Sequence, residues 1–172
     1  MESKAKLFGH AIHPIMIVFP LGLLATAAIF DILYLLTLNT TFSTVSFWMI
    51  VSGVIGGLLA AVFGLIDFLA IPSGTRAKSV GRYHAIVMVT AVVLFALSLW
   101  LRWDVPTVPA TPALLCSFAG VLVALVGGWF GGELVERLGV GVSPNANLNA
   151  PNSLTHDRAF DADVRHNLHP TR

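Results

Sequence analysis

From its first residue the chain runs through a short polar leader, four long apolar stretches separated by polar punctuation, and a polar end. The apolar stretches cover 14–37, 47–71, 84–103 and 113–138, and the pattern predicts a helix in each. Within each run the residues are apolar on every side, without the alternation that a membrane β-barrel needs. A single segment in lipid can satisfy its own backbone only as a helix. At 1.5 Å per residue the first run reaches about 36 Å, enough to cross a hydrocarbon core of about 30 Å with some tilt.

Breakers fall where these helices should end. Pro14 suits a first helical turn, Pro72, Ser73 and Gly74 close the second run, and Pro106, Pro109 and Pro112 fill the connection before the fourth. Short connections make neighbours antiparallel. The expected fold is therefore all-α: an integral membrane up-down-up-down four-helix bundle over residues 1–142, followed by a flexible, disordered polar tail over 143–172.

Composition agrees with the pattern. Of 172 residues 56% are hydrophobic and 11% charged, against about 25% charged in soluble domains. The net charge of +1 gives no reason to expect a nucleic-acid partner. Cys116 is the only cysteine, so no internal disulfide forms and the thiol reads as a small hydrophobe. The first run continues past Ala25, Thr26 and Ala27, too long for the apolar part of a signal peptide.

Lys4, Lys6, Arg76, Lys78, Arg82 and Arg137 flank one side of the membrane and Arg102 stands alone on the other, which places both termini in the cytoplasm of a bacterial inner membrane. Phe47 and Trp48, with Trp100 and Trp103, mark the opposite interface.

Candidate chemistry gathers on the basic side. His10 and His13 open the first helix, Asp67 lies near the end of the second, His84 opens the third with Arg82 and Tyr83 beside it, and Glu133 lies near the end of the fourth. An ionisable residue at a membrane centre costs about 2.5–3.5 kcal/mol on insertion scales, less near the interface, so a cluster asks for a function. The plain structural account has each group snorkelling to the headgroups, or Arg82 pairing with Asp67 or Glu133 to close the bundle. Asp31, deep on the other side, is expected to hydrogen-bond Thr26, Ser98 or nearby backbone.

Two imidazoles on diagonal helices, His13 or His10 against His84, suit a b-type haem. His10, His13, Asp67 and His84 together suit one zinc or iron ion. Proton transfer or an anionic lipid headgroup near Arg76, Lys78 and Arg82 is a third use. No catalytic motif for nucleotide, hydrolase or metalloprotease chemistry occurs, so enzyme activity is left open. A competing class is a scaffold or assembly subunit, or a homo-oligomer, packing membrane helices through Gly56, Ala60 and Gly64 and through Gly120, Ala124, Gly128 and Gly132.

The chain halves also echo each other: "GHAIH" and "GRYHA" open the first and third helices, "FGLID" and "FGGEL" close the second and fourth. A parallel repeat would bring polar groups together near an axis along the membrane normal. In the tail, "HNLHP" repeats the spacing of "HAIHP".

"GHAIHPIMIVFPLGLLATAAIFDIL", "GLIDFLAIP", "GRYHA" and "GWFGGELVERLGVGV" together resemble domain of unknown function 2231, a family of predicted bacterial four-helix membrane proteins, over about Leu7–Val142. The resemblance implies the architecture rather than an activity. Relatives joined to Rieske iron-sulfur modules point it toward redox or haem-associated work, and His13, Asp67, Gly81, His84 and Gly132 match the family's motif positions.

Overall fold

The computed structural model describes residues 1–154. Four helices, α1 (Ile12–Thr37), α2 (Thr40–Ala70), α3 (Arg76–Leu101) and α4 (Thr111–Gly132), are each long and apolar enough to cross a membrane. A π-helical turn, Glu133–Arg137, continues α4. A two-stranded hairpin, β1 (Lys6–Leu7) and β2 (His10–Ala11), precedes α1. Among the described residues, those after Val142 form only turns and irregular chain, and the tail's "HNLHP" lies outside them.

All four helices start earlier than the apolar pattern predicts, α1 and α4 by two residues and α2 and α3 by seven and eight, because capping chemistry outweighs polarity at the ends of the latter two. Asn39 accepts from the Thr41 N–H at 3.0 Å and starts α2 at Thr40. The polar stretch that follows is helical because Ser43 and Ser46 turn inward and are fully buried. Thr75 accepts from the Lys78 N–H at 3.1 Å and starts α3 at Arg76. His10, expected in the first helix, lies instead in β2. Phe8 and Gly9, with φ of 50° and 85°, form the tight turn that pairs Leu7 with His10.

Each helix packs on its sequence neighbour: α1 lies along α2 and α3 along α4, with narrower seams between α2 and α3 and between α1 and α4. Helices α1 and α3 are thus diagonal. Ala27, Ile50 and Phe95 form the fully buried centre. Large apolar side chains, Leu36, Val18, Leu69 and Leu122 among them, face outward, as lipid-facing helices require. Glycines set the inner spacing. A Cβ on Gly53 would lie 2.6 Å from Leu24, and one on Gly120 would lie 2.8 Å from Phe95.

These two contacts are related by an internal repeat. An offset of 71 residues carries His13 to His84, Leu24 to Phe95 and Asp31 to Arg102. An offset of 67 carries Gly53 to Gly120, Ala60 to Gly127 and Gly64 to Gly131. The same contacts recur at both ends of each offset, so the α1–α2 and α3–α4 hairpins are two copies of one design facing each other. This alignment sets Leu134 opposite Asp67 and Ile66 opposite Glu133, so the two acids that suggested the repeat are not counterparts.

Candidate functional site

At the end of the bundle where α1 and α3 begin, the structure brings two of the four proposed ligands together. His13 sits in the first turn of α1 with Nδ1 3.0 Å from the Ala60 carbonyl, and His84 sits on α3 with Nδ1 2.9 Å from the Gly127 carbonyl. A carbonyl oxygen only accepts, so each Nδ1 donates, and each neutral ring keeps its lone pair on Nε2. The ring centres are 6.5 Å apart with planes at 88°.

Glycines make room for both rings. A Cβ on Gly64 would come within 2.8 Å of His13 Cε1, and one on Gly131 within 3.3 Å of His84 Cε1. Each glycine lies one helical turn beyond the carbonyl that its histidine bonds. Four helices thus cooperate in fixing two imidazoles, and the arrangement repeats across the axis.

The other candidates have different partners. Asp67 receives the amino-terminal segment: Ser3 Oγ donates to both carboxylate oxygens at 2.8 Å, and the Lys4 and Ala5 N–H groups donate to Oδ1 at 2.8 and 3.4 Å. The Ala5 carbonyl then accepts from the Ile12 N–H, and the Met1 carbonyl accepts from the Gly141 N–H. Met1–Ala5 therefore forms a strap across the ends of α1 and α2 and the chain beyond the π-helical turn. Lys6 pairs with Glu2 on this strap, and that hydrogen bond holds the Glu2 carboxyl below the usual carboxylate range.

His10 Nε2 lies 3.2 Å from Ser153 Oγ. Arg76, not Arg82, pairs with Glu133, at 2.5 Å. Lys78 donates to the Phe68 carbonyl and lies 4.0 Å from the centre of that ring. Arg82 and Tyr83 are exposed, and Tyr83 stacks on Phe130. Among the described residues no three His, Cys, Asp or Glu side chains are grouped as a metal ion would need. The set of His10, His13, Asp67 and His84 is therefore not assembled.

At the opposite end lies a network that the sequence reading missed. Arg102, the one basic residue expected on this side, reaches Asp31 with Nη1 and Nη2 at 2.9 and 3.0 Å, and neither side chain is exposed. Ser46, Ser98 and Ser117 accept further bonds from its guanidinium, so all four helices meet there. Asp31 is bonded by Arg102 and not by Thr26 or Ser98 as expected, and Ser98 accepts from the same guanidinium. The 71-residue offset, already set by the histidines, would have paired the acid with the arginine.

The chain belongs to the family described as Predicted membrane protein (DUF2231), whose model matches residues 9–144. The match takes in all four helices and the histidine pair, and leaves the Met1–Ala5 strap outside. Neither a curated protein nor a solved structure matches the chain.

Proposed function

We propose that this DUF2231 protein is a membrane subunit that holds a haem between His13 and His84, in a redox context. The observation that carries the reading is the pair of imidazoles, centred 6.5 Å apart and each tied through Nδ1 to a carbonyl of the facing helix. With centres 6.5 Å apart, the two rings lie close enough to approach one bound group. An Nδ1–H donated to a backbone carbonyl fixes the tautomer and raises the basicity of Nε2, the usual outer partner of a ligating histidine.

Ligand number separates haem from a lone ion. A zinc site takes at least three protein ligands, whereas a haem asks the protein for one or two. Two histidines are enough for a haem and too few for a zinc ion. A bound haem would supply a one-electron couple. His13 and His84 would hold it through their free ring nitrogens, while the Ala60 and Gly127 carbonyls hold the rings. The basic residues around this end support a cytoplasmic location for it and for both termini, in a bacterial inner membrane.

A second reading, a scaffold for other membrane helices, has its own observation. Most of the glycine stripes are occupied inside the chain, but a Cβ on Gly128 or Gly132 would meet nothing within 4 Å. Those positions, one turn apart on α4, offer a close approach to another helix.

The deciding experiment is a visible spectrum and metal analysis of the protein purified in mild detergent. The haem reading expects a Soret band that disappears in His13→Ala and in His84→Ala. Stoichiometric zinc or iron without that band would move the site to a lone ion. Helical, folded protein with neither signal would end both and leave the scaffold. A reporter fused after Arg172 is expected to be active only in a cytoplasmic assay.

A further inference from the structure

We infer that the histidine end of the α3–α4 hairpin is a binding surface for the phosphate headgroup of an anionic membrane lipid, with Arg82 as its cation. The internal repeat supplies a control within the molecule: a residue that the fold itself demands should recur at the equivalent place in the other hairpin. The histidines and their glycines do recur. Arg82, Tyr83, Trp129 and Arg137 instead have Ala11, Ile12, Val62 and Ala70 as counterparts. At these four positions cationic and aromatic residues stand in one hairpin where aliphatic residues satisfy the fold in the other.

Two nearby cations are committed. Arg76 is paired with Glu133, and Lys78 is held on the Phe68 carbonyl and ring. Arg82 and Arg137 are exposed and make no ion pair or hydrogen bond among the described residues, and Glu136 is an exposed acid on the π-helical turn. Beside Arg82, Tyr83 stacks on Phe130 at 6.1 Å and 24°, and Trp129 meets Phe130 edge-on at 5.2 Å. Tyr83 and Trp129 are mostly exposed. Such rings settle at the headgroup level of a bilayer, which sets the guanidinium at the depth of lipid phosphate. Arg presents a planar fork of N–H donors matched to phosphate oxygens, and this surface needs neither haem nor metal.

The test is native mass spectrometry of the whole protein in detergent supplemented with phosphatidylglycerol or with phosphatidylcholine. Wild type is expected to retain phosphatidylglycerol preferentially. Arg82→Gln is expected to lower that retention about five-fold, as the loss of one cation near an anionic surface should, and to leave phosphatidylcholine unchanged. Arg82→Lys should keep much of the preference. Equal phosphatidylglycerol retention in wild type and Arg82→Gln would overturn the inference. Displacement of the lipid by inorganic phosphate alone would overturn the assignment to a lipid. Because Arg82 is exposed and unpaired, circular dichroism should show both variants folded.

Discussion

Asp31 and Arg102 occupy equivalent positions in the two halves of the chain and meet as a two-pronged ion pair without solvent exposure. A buried pair is weak evidence for net stabilisation, because desolvation offsets attraction, but breaking it leaves one charge uncompensated. Asp31→Leu or Arg102→Leu should therefore lose about 3–5 kcal/mol of folding stability. The double replacement by leucines should recover most of that loss. Reversible denaturation in mixed detergent measures all three, and additive losses in the double variant would refute the coupling.

Exchanging the charges tests the asymmetry of the same network. The serines that accept from Arg102 are Ser98, Ser117 and Ser46, whose counterparts are Ala27, Ile50 and Ala113. An arginine at position 31 would lack those hydroxyls at the related sites. Asp31→Arg with Arg102→Asp is expected to be more stable than either single change and less stable than wild type.

The glycines under the histidines should differ in tolerance from those on the open face. Gly64→Ala would set a methyl 2.8 Å from His13 Cε1, and the ring must shift. Overpacking of this kind costs about 1–3 kcal/mol. Gly131→Ala, at 3.3 Å, should perturb His84 less, and Gly128→Ala, in open space, should gain up to about 1 kcal/mol from helix propensity. Melting temperatures give the order, and the histidine ring resonances report which ring has moved.

Removing the strap's anchor should leave the bundle standing. Asp67→Ala deletes the acceptor for Ser3, Lys4 and Ala5. Hydrogen exchange is expected to show lost protection at the amides of Lys4 and Ala5, with the α2 and α3 cores unchanged. Protection retained at those amides would show that other contacts hold the strap.

Leu38 ends α1 in the left-handed region, with φ 56° and its N–H on the Tyr34 carbonyl. A side chain there costs about 1–2 kcal/mol. Leu38→Gly keeps the hydrogen bond and removes the steric penalty, so it should raise the melting temperature, and Leu38→Asn should raise it less.

Much of the fold was legible in the sequence. Continuous apolar runs of spanning length admit one solution in lipid, and Pro72 and Pro106 mark connections that the structure keeps. The starts of α2 and α3 were not legible from apolarity, because Asn39 and Thr75 act through one hydrogen bond each. The site was half legible. His13 and His84 stood out as equivalent openings of two helices, but Asp67 carries the same carboxylate whether it binds a metal or a backbone segment. The strap that claims it has no hydropathy signal, and neither does the φ of Phe8 that carries His10 into a strand. Asp31 and Arg102 were both legible on this side but not as partners, because hydropathy gives the depth of a charge and not the group it faces.

The connection from Pro72 to Thr75 is exposed, and it joins two units that already recognise each other through imidazoles at one end and an ion pair at the other. Continuity of the peptide there should be dispensable. Pieces ending at Ser73 and starting at Gly74, made together in one cell, should find one another in the bilayer and rebuild the four-helix body without a covalent link.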